Sequence, residues 1–376
     1  MLFSSIPGHA QLKEHLIEMA NANRVGHALL FWGDEGVGAL ALALALAQQM
    51  VCSAKKERLA CGTCPKCNKM QKLIHPDLHF AVPVNSVKPS DKNPVTNHYG
   101  DVWRKALSDN PYMSEHQWYD ALGIDNKSGN ISVHEADAIL KKLSYKAFEG
   151  DCKFMIVWLP ERMNVQAANT LLKILEEPSF GTHFFLVSEH PEQLLPTIRS
   201  RCQSIRVNPI LKEEMVPALA KELNISVEEA EVVARLSGGS WGRARSVSNL
   251  SEQQEEVVRY AHALINCCVE KRLFTVIQWS EEAAGFGRER QRQLIQYILE
   301  LLRNIHIEHL KVHQVSCVPP AEIAQLRLWA ARLPNSFFSE AANALNEALA
   351  DIDRNVNAKM TFFSVALRLF YGCLSN

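Results

Sequence analysis

The chain has 376 residues, 47% hydrophobic and 22% charged, an ordinary globular composition that is long enough for two or three domains. Its formal net charge of −1 excludes the overall basic character of a nucleic-acid-binding protein, so any such binding depends on a local patch or on a partner. No apolar run reaches the roughly 18 residues that a membrane span needs, and no secretory signal is evident. We therefore expect a cytoplasmic protein without a membrane partner.

The first predicted elements are a strand, a glycine-rich loop and a helix, in that order. The strand "HALLFWG" (27–33) is a short apolar run of the buried type. The helix, from Ala39 to about Met50, is rich in alanine and leucine and has high helix propensity. This is the structural context that a phosphate-binding loop requires.

The loop between them has the glycine spacing of a phosphate-binding loop but lacks its functional side chains. Its glycines are Gly33, Gly36 and Gly38. The next two positions, where such a loop carries the lysine and the hydroxyl that contact phosphate and Mg²⁺, hold Ala39 and Leu40. We therefore expect a degenerate nucleotide loop, and a chain that does not itself bind Mg-ATP.

Four of the ten cysteines follow in a C-x8-C-x2-C-x2-C array. They are Cys52, Cys61, Cys64 and Cys67. Thiolate pairs on tight C-x2-C turns suit tetrahedral zinc, and four of them leave no open position for catalysis. Metal-free thiols and a redox pair are the alternatives. We expect a structural zinc module over about 52–67.

Further strands and helices alternate as far as residue 208. The strands are "DLHFAVPV" (77–84), "KFMIVWLP" (153–160), "THFFLVSE" (182–189) and a last short one. Strands that alternate with helices predict a parallel α/β sheet covered on both faces. The segment 84–130 is read as an irregular surface insertion with one helix near "DVWRKAL", and Ser132 with Glu135 predicts a capping box on the helix that follows.

The strand "KFMIVWLP" provides a second test for nucleotide chemistry. An ATPase places a magnesium-binding acid at the end of this strand. The stretch from Ile156 to Pro160 contains no acid, and Glu161 is the nearest one. A second part of an ATPase site is therefore missing.

The pattern changes to almost entirely helical after Pro209. We expect an α/β domain over 1–208, which contains the zinc module and the insertion. A small helical lid over 209–250 and an all-α domain over 251–376 are expected to follow.

Several motifs in one order carry a family resemblance. They are "RVGHALLFWGDEGVG", the four cysteines, "HPDLH", "AANTLLKILEEP", "SRC" at 200–202 and "GGSWGRAR", with "DIDRNVNAKMTFFSVALRLF" near the C-terminus. Together they resemble the AAA+ clamp-loader family of bacterial DNA polymerase III, and within it the delta-prime group, which shares the decayed phosphate loop.

The resemblance implies a RecA-like AAA+ domain, a lid and a C-terminal collar that forms a hetero-oligomer. It implies that Arg201 is an arginine finger for ATP on a neighbouring subunit, that Ser188 holds the sensor 1 position and that Arg243 is the sensor 2 candidate. The implied partners are the gamma/tau and delta subunits and, through the complex, the sliding clamp and primer–template DNA in the nucleoid-associated replisome. The chain itself would be a non-hydrolysing stator with structural zinc.

Two other classes of function remain open on the residues alone. One is an active phosphate-loop ATPase with unorthodox residues. The other is a zinc-knuckle nucleic-acid-binding module or an AAA+ adaptor outside the clamp loader.

Overall fold

The chain is described from a computed structural model that covers residues 1–87, 92–124, 128–248, 252–311, 320–354 and 356–374. It divides into two compact units, Met1–Arg245 and Ser246–Asn376. Within the described part, no helix is long and apolar enough to cross a membrane.

A five-stranded parallel sheet forms the centre of the first unit, with strand order β2-β3-β4-β1-β5. The strands are β1 (Ala28–Trp32), β2 (Leu78–Ala81), β3 (Lys153–Trp158), β4 (Thr182–Ser188) and β5 (Gln203–Arg206). Four of them coincide with apolar runs identified in the sequence, and β5, with mostly exposed residues, is the last short strand, so the predicted α/β sheet is confirmed.

Both faces of the sheet are covered, because consecutive strand residues alternate between two hydrophobic cores. In β3, Phe154, Ile156 and Trp158 enter one core, whereas Met155 and Val157 enter the other. The helices of this unit are α1 (Ala10–Asn21), α2 (Ala39–Val51), α3 (Pro65–Gln71), α4 (Gly100–Asp109), α5 (Glu115–Leu122), α6 (Val133–Ser144), α7 (Val165–Glu176), α8 (Pro196–Arg199), α9 (Lys212–Leu223), α10 (Val227–Leu236) and α11 (Trp241–Ser248).

Helices α9 to α11 correspond to the expected lid. Met215, Leu219, Ala230 and Trp241 from these helices are buried in the same core as one face of the sheet. The expected boundaries at 208 and 250 remain predictions.

The insertion is more ordered than its sequence indicated. Besides the expected helix, which is α4, it contains the helix α5. Trp103 on α4 and Trp118 on α5 are almost fully buried. Burial of these two indoles gives the segment a core-facing side, which its many Pro, Asn and Ser residues had concealed. Residues 88–91 and 125–127 of the predicted insertion lie outside the described part.

The capping box predicted for α6 is wrong. Ser132 is the N-cap residue, but its side chain makes no capping hydrogen bond. Glu135 instead accepts a hydrogen bond from the backbone N–H of Thr96, 2.5 Å away in the insertion. A tertiary partner has taken the carboxylate that the local motif assigned to the helix end.

All the secondary-structure elements that the structure describes in the second unit are helices. Its helices are α12 (Glu252–Val269), α13 (Leu273–Ala284), α14 (Arg288–His309), α15 (Pro320–Ala330), α16 (Asn335–Asp353) and α17 (Ala358–Gly372). Their apolar faces enclose one core that includes Trp279, Trp329, Phe337 and Phe362. This agrees with the all-helical pattern read from the sequence.

We predict that Lys153→Met destabilises the first unit by about 1–3 kcal/mol. Lys153 is 3% exposed, and its ammonium donates hydrogen bonds to the carbonyl oxygens of Leu143 and Tyr145, each 2.6 Å away, at the end of α6. Methionine keeps the volume but removes the ammonium donor from both carbonyls, of which that of Leu143 retains the 3.3 Å hydrogen bond from the Ser179 hydroxyl. Scanning calorimetry measures the loss, with the exposed Lys141→Met on the same helix as control. Equal melting of the two variants would contradict the prediction.

Candidate functional site

The glycine loop turns sharply between β1 and α2. Gly36 and Gly38 have φ angles of 73° and 107°, a left-handed region that glycine adopts without a steric penalty. Gly38 is the N-cap of α2, and Ala39 and Leu40 begin the helix with 9% and 4% of their surface exposed. The two positions that a phosphate loop gives to lysine and a hydroxyl are therefore part of the hydrophobic core.

The lid lies directly on this loop. The Gly242 N–H donates to the Gly36 carbonyl at 3.0 Å, and the Ser240 hydroxyl donates to the Glu35 carbonyl at 2.8 Å. A Cβ on Gly36 would lie 2.5 Å from Ser240 Oγ and 3.0 Å from Gly242 Cα. Loop and lid thus meet backbone to backbone, with no space for a side chain between them.

The N-terminal segment closes the loop from another side. The ring Nε2 of His9 lies 2.8 Å from the Val37 carbonyl, and burial lowers the pKa of His9 against the opposing effect of this hydrogen bond. A neutral imidazole with its proton on Nε2 donates to that carbonyl. Glu214 on α9 accepts from the backbone N–H groups of His9 and Ala10, at 3.0 and 3.2 Å. Three successive loop carbonyls, those of residues 35–37, are therefore hydrogen-bonded to protein groups.

Tyr112 from the insertion fills the space beside the loop. It is 6% exposed, and its ring atom Cε1 lies 3.1 Å from where a Cβ of Gly38 would be. Its ring centroid is 6.5 Å from that of Trp241 on the lid. Burial raises the pKa of the Tyr112 hydroxyl far above its usual value, so the ring stays neutral. Nothing local to Tyr112 in the sequence indicates a contact with the loop, so its position here could not be predicted.

The end of β3 is occupied by aromatic packing where an ATPase has an acid. The ring of Trp158 lies 5.3 Å from that of Trp103, which lies 5.0 Å from that of Trp118. Glu161 follows in a short 3-10 turn, and its carboxylate accepts from the backbone N–H groups of Glu189 and His190, at 2.9 and 3.1 Å. The nearest acid thus supports the backbone after β4.

The charge around the loop disfavours an anion. Burial raises the pKa of Glu189 well above its usual range, and the neighbouring carboxylates of Glu35, Glu161 and Glu115 raise it further. The guanidinium of Arg162 opposes this shift. A site in which carboxylates already repel one another gives little stabilisation to phosphate.

The two sensor candidates lie in different surroundings. Ser188 ends β4 beside Trp32, is fully buried, and its hydroxyl has no hydrogen-bond partner among the described residues. Arg243 lies in the first turn of α11 with an exposed side chain, and its backbone N–H donates to Ser240 Oγ at 3.3 Å. Ser188 is adjacent to the loop through the 3.3 Å hydrogen bond from the Gly33 N–H to its carbonyl. The sensor roles of both residues remain predictions.

Arg201 lies at the amino ends of the parallel strands, whereas the glycine loop lies at their carboxyl ends. It follows α8, just before β5, and shares an open cleft with His27, which precedes β1. The glycine loop follows the other end of β1, and a five-residue strand spans about 16 Å. Nε of Arg201 donates to Glu176 at 2.5 Å and Nη1 donates to the Thr197 carbonyl at 2.7 Å. The guanidinium is held at the surface, 32% exposed, and away from the chain's own loop.

The four cysteines converge as their spacing predicted. The sulfur atoms of Cys52, Cys61, Cys64 and Cys67 all lie within 4.8 Å of one another, and those of Cys52 and Cys61 are 3.7 Å apart. Four sulfurs at the Zn–S bond length around one tetrahedral zinc lie about 3.8 Å apart. The donor set and its spacing therefore fit a metal ion of the zinc type.

Backbone N–H groups prepare two of these sulfurs for ligation. The N–H groups of Thr63 and Cys64 lower the pKa of Cys61 to about 6. The pKa of Cys64 is also lowered: burial opposes this shift, and the N–H groups of Cys67 and Ser53 produce it. Burial raises the pKa of Cys67 to about 12, so a metal ion would have to displace its proton.

The family profile and the relatives that match this chain point to the same family. The family profile described as "DNA polymerase III, delta subunit" matches residues 8–211. The chain is 32% identical over 233 residues to the DNA polymerase III subunit delta' of Escherichia coli, covering 61% of this chain and 57% of that protein. It is 30% identical over 242 residues to the subunit delta' of Pseudomonas aeruginosa, covering 64% of this chain and 61% of that protein. The chain thus spans about three fifths of the length of these relatives.

Among solved structures, a DNA polymerase III gamma subunit-related protein of Thermotoga maritima matches with a TM-score of 0.43 and 16% identity. The match covers 96% of this chain and 99% of that one.

We predict that Gly36→Ala destabilises the first unit clearly more than Gly123→Ala. Both glycines have a φ of 73°, so alanine incurs a similar left-handed strain of about 1–2 kcal/mol at each. A Cβ at Gly123 meets nothing within 4 Å, whereas at Gly36 it collides with the lid. The difference between the two free energies of unfolding isolates the contact between loop and lid. Equal losses in denaturant titrations would show that this contact contributes nothing.

Proposed function

The chain belongs to the family described as DNA polymerase III, delta subunit, and we propose that it is a delta-prime-type subunit of the sliding-clamp loader that does not hydrolyse ATP. In this role it supplies Arg201 to ATP bound on a neighbouring gamma/tau subunit. It also anchors the assembly as a stator during clamp loading on primed DNA.

The position of Arg201 is the observation that carries this proposal. The guanidinium lies beside the start of β1, whereas the glycine loop follows the end of β1. An arginine placed there cannot reach a phosphate on its own loop. Its side chain is partly exposed at the surface, where we expect a neighbouring subunit to place its ATP; an arginine finger there stabilises the charge that develops on the transferring phosphoryl group.

The ion pair with Glu176 orients Arg201 without trapping it. Glu176 is the first glutamate of the "LEEP" motif, and its side chain is 46% exposed. Exposed ion pairs stabilise a structure by about 0–1 kcal/mol, so a phosphate with two negative charges can replace the carboxylate. The Thr197 carbonyl accepts a second guanidinium N–H and keeps the side chain near this position.

The loop supports the absence of hydrolysis. Ala39 and Leu40 are buried in the core, and the carboxylates of Glu35, Glu161 and Glu115 add negative charge near Glu189, which follows β4. Ser188 and Arg243 then occupy the two sensor positions of a chain that binds no nucleotide. ATP and magnesium belong to the neighbouring subunits.

We further propose that the four-cysteine cluster holds a structural zinc ion. Four thiolates complete its tetrahedral coordination, so no position is left for a catalytic water. Cys52 is the C-cap of α2 and Cys64 the N-cap of α3, so the ion would join the ends of two helices.

The second unit is proposed as the collar that binds the gamma/tau and delta subunits. It carries large apolar side chains at its surface, among them Phe274 and Met360, which are 88% and 70% exposed. Contact with the clamp and with primer–template DNA is proposed to occur through the assembled complex, in the cytoplasmic replisome at the nucleoid.

We predict that Arg201→Ala leaves assembly intact but slows ATP hydrolysis at the adjacent site by about 10³-fold or more. Total hydrolysis by the reconstituted loader then falls by the share of that one site. The measurement is DNA-stimulated phosphate release, with gel filtration to confirm that the complex forms. The control is Arg199→Ala, because Arg199 is exposed in the last turn of α8, two residues away.

Two outcomes would contradict the proposal. If Arg201→Ala and Arg199→Ala hydrolyse ATP at the same rate, Arg201 has no part in the reaction. If the isolated chain binds Mg-ATP tightly and turns it over, the chain is an ATPase itself.

We predict about one zinc ion per purified chain, and its loss in Cys64→Ser, because a serine hydroxyl is a poor zinc ligand. Plasma mass spectrometry measures the metal. Cys152→Ser is the control, since Cys152 lies outside the cluster. Metal release should accelerate as the pH falls, because protons compete for the thiolates. Unchanged zinc content in Cys64→Ser would place the ion elsewhere.

A further inference from the structure

We propose that residues 92–124 of the insertion replace a nucleotide as the element that holds the glycine loop, the end of β3 and the lid together. The inference rests on the proposed absence of nucleotide from this chain. In a phosphate-loop ATPase the bound nucleotide and its magnesium connect the loop and the acid that follows a neighbouring strand. In this chain the insertion contacts the glycine loop, the end of β3 and the lid instead.

The first contact is Tyr112 between loop and lid. Its ring lies against Gly38 at the start of α2, and its carbonyl oxygen would be 2.5 Å from a Cβ of Gly242. The same Gly242 donates to the carbonyl of Gly36. Tyr112 therefore contacts both the glycine loop and the lid, at the junction where the phosphates of a nucleotide would lie between them.

The second contact is aromatic and covers the end of β3. Trp103 packs against Trp158 and, edge to face at 5.8 Å, against Phe80 of β2. The indole N–H of Trp118 donates to the Pro83 carbonyl at 2.7 Å. Trp103, Trp118 and Trp158 are at most 2% exposed, so the insertion seals this edge of the sheet against water.

The third contact is polar and reaches both the lid and the turn after β3. Asn110 accepts from Arg245 on α11 at 3.4 Å and from the backbone N–H of Tyr112 at 3.1 Å. Glu115 binds Arg162 through two hydrogen bonds of 2.6 and 2.7 Å. Paired hydrogen bonds of this kind fix the orientation of both groups.

A surface loop without a structural role would not bury large aromatic side chains. The segment carries two of the largest fully buried side chains, Trp103 and Trp118, toward the end of β3, and the buried ring of Tyr112 toward the loop and the lid. Because it is part of the chain, it is always present and never dissociates. The lid is thereby held in one position whether or not ATP is available, which is the property that a rigid stator requires.

Hydrogen–deuterium exchange of the lid in the isolated full chain tests the proposal. We expect Tyr112→Ala to increase amide exchange in α9 to α11 by about tenfold or more, because the lid loses its support and opens more often. Tyr99→Ala is the matched control, since Tyr99 lies in the same insertion and donates to the Asn85 carbonyl at 3.2 Å. Lid exchange in Tyr99→Ala should stay unchanged. If Tyr112→Ala does not fold, Tyr112→Leu replaces it, because leucine removes fewer contacts. Lid exchange in Tyr112→Phe should equal that of the unaltered chain.

The outcomes separate this inference from the proposed function. Equal lid exchange in Tyr112→Ala and Tyr99→Ala would overturn the role of the insertion and leave the role of Arg201 intact. Slower lid exchange on addition of Mg-ATP to the unaltered chain would mean that this chain does bind nucleotide. That result would overturn this inference, whereas the proposed function fails only if the isolated chain also turns the nucleotide over.

Discussion

The direct approach of two backbones at Gly36 and Gly242 is the constraint on which the first unit depends. A hydrogen bond of 3.0 Å joins them, and a Cβ on either glycine would collide with the opposite segment. A bound nucleotide normally keeps loop and lid apart and also links them. Once the lid rests on the loop itself, the positions that served phosphate are free to become apolar. Ala39 and Leu40 are then what the core requires at the start of α2.

The charged groups of the first unit are divided between the two ends of the parallel strands. Carboxylates collect at the carboxyl edge of the sheet, where they raise the pKa of Glu189, and Arg162 is paired there with Glu115. The exposed guanidinium of Arg201 lies at the amino edge, held by Glu176. A parallel sheet places these two edges on opposite sides of the unit. An inert carboxyl edge and an arginine available at the amino edge are therefore compatible in one fold.

Sequence reasoning succeeded where the signal is local. Four of the five strands were visible as short apolar runs, and the cysteines were identified by the spacing of two C-x2-C turns. It failed where a residue acts through a distant partner. Tyr112 and Trp103 carry no local mark of their contacts, and the insertion was read as irregular because its Pro, Asn and Ser residues dominate the pattern. Glu135 fitted a capping box, yet Thr96, 39 residues away in the sequence, took its carboxylate.

Helix α2 has a consequence for the way in which the first unit folds. All eleven residues from Ala39 to Gln49 are buried, so this helix has no face that tolerates water over that stretch. It packs against β1, β3, β4, α1 and α3, which come from widely separated parts of the sequence. No partial set of these elements can shelter it, and a chain still being synthesised cannot bury α2 until β4 has emerged. Complete burial of α2 is therefore expected to be a late step in the folding of this unit, because it waits for contacts that are distant in the sequence.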